Sequence, residues 1–390
     1  MTSLLVIIVL VLLAIALWQL TKIFDLTQVG SDTNNTQIAN DDDNNVQGYL
    51  MFGFLAFIYI FTIYGLLKWG GLVLHTPASE HGIEIDRLMD ITWILIFIVQ
   101  AITQALLHYF AFKYRGKQDQ VALYFADNNK LEAVWSIIPA VVLAGLILYG
   151  LFAWTNIMFI EDEDDTIVIE LYAQQFKWTA RYAGADEVLG KANVRYIEGV
   201  NTTGMDLNDP NGQDDFVTSE IHIPKGKKVH FKMRSQDVLH SAYFPYFRAQ
   251  MNCVPGMVTE FAFTPIYTTS EYRELPYMQK KVENINAIRT KKSSELALLG
   301  QGPLDPYAFD FLLICNKICG TSHYNMQMKV VVDSPEEYKT WLSEVSLSTI
   351  VKQVKGAEVQ ELDPIETQMP IDSTGVIDTV AVSVSKIAMK

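Results

Sequence analysis

Cysteine is scarce in this chain: three in 390 residues. An odd, small number cannot build a disulfide framework. No C-x-x-C-H run occurs, which excludes a covalently attached c-type haem. Histidine is also sparse, with seven, too few for a large multi-histidine cluster beside any other site. Positive charge is short as well. Thirty Lys and Arg stand against 44 Asp and Glu, a formal charge of −14. Phosphate would be repelled, so nucleic acid is excluded as a partner. A basic protein partner fits this balance, and so does an acid excess that only aids solubility.

Apolar residues are abundant. They make up 50% of the chain, and the mean hydropathy is +0.15. That average hides a split between an apolar first part and a β-rich remainder. Four apolar runs, at 4–20, 49–67, 88–112 and 134–159, approach or exceed the roughly 20 residues a membrane span needs. A soluble core helix rarely stays apolar on every face for so long. The first run reads as a retained helix rather than a cleaved leader. No basic residue precedes it, and no clear small-residue cleavage site follows.

Lys113, Arg115, Lys117 and Lys130 place the loop between the third and fourth runs in the cytoplasm. The fourth run then exits at the acids 161–165, and everything beyond is exported. Lys22 ends the first run inside, which puts the acidic loop 31–45 in the cytoplasm and the N-terminus outside.

After residue 165 the pattern changes to short alternating, β-branched runs, at 167–172, 176–182, 221–223, 228–233, 259–263, 309–313 and 327–332. Pro224-Lys225-Gly226 and Val254-Pro255-Gly256 mark turns. Many short strands in one domain predict a β-sandwich. Loop-like insertions fall near 184–215 and 267–306, the second with a helix expected over 278–299. Ser334 and Pro335 open a short helix through Leu342. The expected division is 1–75 for two extra helices, 76–160 for a helical hairpin, 161–345 for the β-domain and 346–390 for a tail.

The strongest signal is Cys315, Cys319, His323 and Met326 in a C-x3-C-x3-H-x2-M run. Soft sulfur with imidazole selects copper over hard cations. Two thiolates can bridge two coppers, and a second imidazole must then come from elsewhere. His240 is the choice; His222 and His230 compete but fall inside strand patterns. Cys315, Cys319 and His323 with a distant His also suit zinc. Cys253 has no partner motif and reads as a buried free thiol.

Asp-Val-Leu-His-Ser at 237–241, Val-Pro-Gly at 254–256 and the cysteine run together resemble cytochrome c oxidase subunit II, over about residues 85–342. The resemblance implies a membrane-anchored chain with a cupredoxin-like β-sandwich holding a dinuclear CuA copper site. It implies that Cys315 and Cys319 bridge both coppers, that His240 and His323 each bind one, and that Met326 is a weak ligand. The backbone carbonyl of Lys317 completes the set. The family usually has Glu there, which also helps bind magnesium at the subunit I border; a lysine side chain cannot, so the magnesium role is not carried over.

By the same resemblance, Glu132 matches an acid at the mouth of a proton path. The alternative for Glu132 is a helix N-terminal carboxylate favoured by the dipole. Trp178 matches a second tryptophan of the family's aromatic strand, either a core aromatic or an electron conduit. Phe176 stands where the electron-receiving tryptophan is usual. Asp237 matches a donor-docking acid, the alternative being a turn cap.

The implied function is electron transfer from a cytochrome c, or from the haem subunit of an attached complex, to haem in subunit I. There oxygen is reduced to water with proton pumping. The implied location is a bacterial inner membrane, with the copper domain on the periplasmic side. Two readings compete: a soluble copper reductase such as nitrous oxide reductase, and a copper-free scaffold such as quinol oxidase subunit II. The membrane runs and seven histidines argue against the first. The complete ligand set argues against the second.

Overall fold

Apolar runs fold as helices because a helix satisfies its own backbone N–H and C=O groups. The computed structural model describes residues 2–28, 41–73, 75–118, 120–160 and 166–362. Part of the acidic loop expected at 31–45, the acids 161–165 and the tail from 363 lie outside them. The four runs become α1 (Thr2–Gln28), α2 (Asp41–Trp69), α3 (Glu80–Lys113) and α4 (Asn129–Met158). Among the described residues, three spans are long and apolar enough to cross a membrane: Asp41–Leu72, Glu80–Lys113 and Asn129–Met158. α1 carries the apolar stretch Ile8–Thr21. Ser79 and Asn128 start α3 and α4, their side-chain oxygens accepting from the Gly82 and Leu131 N–H groups.

By contacts, α1–α4 with Tyr246–Arg248 form one unit, and the rest of the described chain forms a second. In the first unit α2 is fastened to α3. Gly48 makes room for Phe112, since a Cβ there would lie 2.6 Å from its ring. Tyr49 and Phe52 tilt onto that ring at 5.2 and 5.0 Å. Arg115 donates to Asn45 at 2.7 Å, and Asn44 to the Gly116 carbonyl at 3.1 Å.

The second unit is built on two five-stranded sheets. One has the order β3 (Phe216–Thr218), β2 (Lys177–Tyr182), β1 (Ile167–Gln174), β5 (Val229–Ser235), β8 (Thr259–Phe263). The other has β4 (Glu220–Pro224), β10 (Gln327–Asp333), β9 (Phe311–Cys315), β6 (His240–Phe244), β7 (Ala249–Cys253). Pairing is parallel for β1 with β5 and for β4 with β10, and antiparallel elsewhere. Alternate residues point inward and bury a common core. Phe231 and Phe263 of one sheet meet Phe244 of the other, with centroids 5.1–5.5 Å apart. Each such burial stabilises the fold by about 1.5–3 kcal/mol.

A buried ion network fixes the 184–215 insertion. Arg181 donates to Glu170 at 2.7 Å, to Asp215 at 2.5 Å and to the Gly190 carbonyl at 2.9 Å. Arg234 holds the other oxygen of Glu170 and the Thr203 carbonyl. The second insertion contains α5 (Thr269–Glu274) and α6 (Pro276–Ala297), close to the helix expected. α7 (Pro335–Val345) opens on a capping box from Ser334 and Glu337. The stretch expected as a tail from 346 holds α8 (Ile350–Leu362), whose Ile350 and Val351 pack on Met205 of the first insertion.

Candidate metal centre

The site forms where β9 ends and β10 begins. β9 delivers Cys315 as its last residue, and the loop 316–326 carries Cys319, His323 and Met326 before β10 starts. β6 lies beside β9 with Ala242 opposite Cys315, so His240, at the start of β6, reaches the same end of the sheet. The Asn316 N–H donates to the Ser241 carbonyl at 3.0 Å and locks the loop to β6. Rigid sheet ends thus hold ligand-type residues that lie far apart in sequence.

The sulfur atoms of Cys315 and Cys319 are 3.9 Å apart, and both thiols are free. A disulfide would need about 2 Å. Nδ1 of His240 is 3.8 Å from Cys315, and Nδ1 of His323 is 3.6 Å from Cys319. Sδ of Met326 is 3.8 Å from Cys319, and the Lys317 carbonyl accepts from the Cys315 thiol at 3.3 Å. His240, Cys315 and Cys319 place their ligand atoms within 4.8 Å of one another, and His323 stands outside that set. The imidazoles therefore serve different sulfurs instead of closing on one point. A single tetrahedral metal wants four ligands around one centre. A sulfur pair with one imidazole at each member suits two.

Burial and hydrogen bonding set the chemistry. His240 is fully buried, Met326 is 1% exposed, and Cys315 and Cys319 are 8% and 6% exposed. Burial first, then Cys315, pushes the Cys319 thiol up to about 11. Burial pushes Cys253, which pairs with His240 across β6 and β7, up to about 12. Cys253 stays a thiol at neutral pH, as expected of a packed cysteine.

Asp237 Oδ1 is 2.8 Å from Nε2 of His240. Donation from Nε2–H to the carboxylate leaves Nδ1 turned to the sulfurs with its lone pair free. The same carboxylate accepts from the Gln175 and Val238 N–H groups, each at 2.7 Å. Burial raises the Asp237 pKa, but these bonds outweigh it and hold the acid below the usual carboxylate range.

Trp178 is 5% exposed; its Nε1–H donates to the Met326 carbonyl at 3.4 Å, and its ring meets His240 edge-on at 6.2 Å. The side-chain amide of Gln175 donates to the Cys319 carbonyl. The structure thus brings His240, Cys315, Lys317, Cys319, His323, Met326, Asp237 and Trp178 to one place. Glu132, in the helical unit, is exposed in the first turn of α4.

Gln175 was not singled out from the sequence. Its signal was its place beside Phe176 in the aromatic strand. For Asp237 the sequence suggests donor docking or a turn cap; its spacing three before His240 also permits the bond to that ring seen here.

The donor set fits copper. Two thiols, a thioether and two imidazoles are soft or borderline ligands.

A family model described as the transmembrane domain of cytochrome c oxidase subunit II matches residues 67–152. The alternative cytochrome c oxidase subunit 2 of Bradyrhizobium diazoefficiens is 32% identical over 289 residues, covering 72% of this chain and 89% of that protein. Cytochrome c oxidase subunit 2 of Cereibacter sphaeroides is 23% identical over 296 residues, covering 72% and 82%. The periplasmic domain of subunit II of a Bradyrhizobium japonicum cytochrome oxidase overlays with a TM-score of 0.28 at 15% identity. That overlay spans 48% of this chain and 98% of that one, and is too weak to rest the fold on. Apolar spanning helices ahead of a two-sheet β-unit, and a relative at 32% identity along most of both chains, lead to one conclusion: the chain belongs to the cytochrome c oxidase subunit II family, as a membrane-anchored subunit of an oxidoreductase complex with a two-sheet β-unit.

Proposed function

We propose that this chain is the electron-receiving subunit of a haem–copper oxidase, taking electrons from a cytochrome c donor and passing them to haem in subunit I. One observation carries the reading: two free thiols 3.9 Å apart with a separate imidazole beside each. A copper pair bridged by both thiolates would take up and release a single electron there. Cys315 and Cys319 would be the bridges, His240 and His323 the terminal ligands, and Met326 and the Lys317 carbonyl the weak ones. The protein's part is to hold these groups still. β6, β9 and β10 fix the backbone, Asp237 fixes the His240 ring, and Trp178 and Gln175 fix the Met326 and Cys319 carbonyls. Small movement between redox states keeps the reorganisation cost of electron transfer low.

The domain division proposed is 1–75, 76–160, 161–345 and 346–390. The β-unit is proposed to face the periplasm of a bacterial inner membrane, by the basic residues Lys113, Arg115, Lys117 and Lys130. Glu132 is proposed at a proton-path entrance serving oxygen reduction and proton pumping in subunit I; Glu132→Ala slowing turnover with intact copper spectra is the expected result. Lys317 is exposed and cationic, so magnesium is not proposed at that position.

The transfer is tested by mixing the oxidase complex with reduced cytochrome c and following the near-infrared copper band and the haem bands together. Bleaching of the copper band ahead of haem reduction, lost in Cys315→Ser, is expected. Haem reduction at an unchanged rate in Cys315→Ser contradicts the reading.

A further inference from the structure

The second insertion carries a helix that the proposed function leaves unused. α6 is seated through one face. Met278 is buried. The Asn286 amide donates to the Tyr307 carbonyl at 3.1 Å, and its oxygen accepts from the Tyr307 N–H at 2.7 Å. Arg289 donates to the Asp305 carbonyl at 2.7 Å and lies over the Tyr307 ring. Ser293 Oγ accepts from the Leu304 N–H at 3.0 Å. These four residues fall on one side of a helix, and the strand-like stretch 304–307 staples that side down.

The other side is in solvent. Lys280, Asn284, Ile288, Lys291 and Glu295 recur at steps of three and four residues, which aligns them in one exposed row. Lys292 adjoins the row, and Leu298 and Leu299 continue it past the helix end. Ile288 is 68% exposed, Leu298 88% and Leu299 73%. Among the described residues, Lys280, Lys291 and Lys292 have no ion-pair partner. α6 holds five Lys and Arg against two Glu, the opposite sign to a chain of charge −14.

The spacing narrows what this row can bind. Lys280 and Lys291 lie about 16 Å apart along the helix axis, so a single phosphate cannot meet both. Ile288 stands as far from Leu299, with lysines between, and does not form the packed apolar core that a protein interface needs. Lysines interleaved with single apolar side chains suit a sheet of anionic headgroups instead. Their ammonium groups reach phosphates, and the apolar tips enter the headgroup layer. A membrane-anchored chain always has such a sheet at hand.

We propose that α6 is a lipid-binding helix. Lys280, Lys291 and Lys292 meet the phosphates of anionic phospholipids, and Ile288, Leu298 and Leu299 enter among the headgroups. The β-unit thereby gains an attachment to the bilayer that requires anionic lipid, weakens with salt and does not involve the sulfur cluster.

The test uses the intact oxidase complex carrying Asn284→Cys, labelled there with a fluorophore; the native cysteines of this chain are buried. The complex is placed in nanodiscs of phosphatidylcholine alone or with about one-third phosphatidylglycerol. A phospholipid with a nitroxide on its headgroup reports lipid contact by quenching, and acrylamide reports exposure to water. Headgroup quenching is expected to be several-fold stronger with phosphatidylglycerol, and to fall as salt rises from about 50 to about 500 mM. Lys280→Gln, Lys291→Gln and Lys292→Gln combined should abolish that difference with the fold intact by circular dichroism. Lys339→Gln, an exposed lysine of α7, should leave it unchanged. Equal quenching in the two lipids, or a difference that survives the triple variant, overturns the proposal. So does a label shielded from acrylamide yet unquenched by the nitroxide in both lipids, the result if a protein partner covers this face.

Discussion

At the residue scale, the His240 ring depends on a neighbour outside the sulfur cluster. Asp237 binds the ring of His240 and two backbone N–H groups at once. Asp237→Ala leaves these donors without their partner. Losing such an outer partner typically weakens metal affinity about 10–100-fold. That loss, read by competition with a copper chelator, is the expected result, whereas Asp237→Asn, which keeps an acceptor, should lose less. An Asp237→Ala protein with unchanged affinity would reduce this carboxylate to a surface group.

Proton release gives a second residue-scale prediction. The Cys319 thiol, pushed up to about 11, is protonated at neutral pH, so a metal must displace its proton. Apparent copper affinity should therefore rise with pH, about tenfold per unit for each proton released. Stopped uptake with a pH indicator dye reads the protons directly.

At the scale of elements, the buried network around Arg181 ties the first insertion to the sheet. Asp215 has no exposed surface, and burial pushes its carboxyl up to about 6 even with Arg181 beside it. Its folded pKa thus lies above its ordinary 3.8, and between these values the folded state binds more protons than the unfolded one. The stability this group contributes is present below pH about 4 and lost as pH rises through about 6, up to roughly 3 kcal/mol. Asp215→Asn should flatten that part of the stability–pH curve, measured by denaturant unfolding in detergent. Glu170 acts in the opposite sense. Burial raises it, but Arg181 and Arg234 win and lower it, so its contribution is lost only as pH falls through its depressed pKa.

Most elements were legible in the sequence because burial on one face writes a period of two or an unbroken apolar run. β6 and β7 were not. β6 begins at His240 within a segment read for its metal motif, and Ala249-Gln250-Met251-Asn252-Cys253 carries little β-propensity. The three residues of β3 are too few to show a period. The sulfur–imidazole cluster was legible because Lys317, Cys319, His323 and Met326 share one loop. The outer partners were not, because a hydrogen bond between Gln175 and Cys319 spans 144 positions and leaves no local pattern.

At the scale of the whole molecule, the chain comprises a helical unit and a β-unit that holds the His240, Cys315 and Cys319 cluster. The helix α2, which precedes the hairpin of the resemblance, is packed on α3 within the chain. Gly48→Leu would drive a side chain into the Phe112 ring, since even a Cβ lies 2.6 Å from it. The expected result is lower yield of assembled complex with the copper site intact in what remains, read by native electrophoresis and copper content.

On the proposed function, two thiols and two imidazoles hold a pair of coppers sharing one electron. The most direct measurement is metal analysis of the purified complex together with its electron paramagnetic resonance spectrum. Two coppers in this subunit and a hyperfine pattern from one unpaired electron spread equally over both nuclei, lost in Cys319→Ser, are expected. A single zinc, a single isolated copper, or no metal at all in this subunit would contradict it.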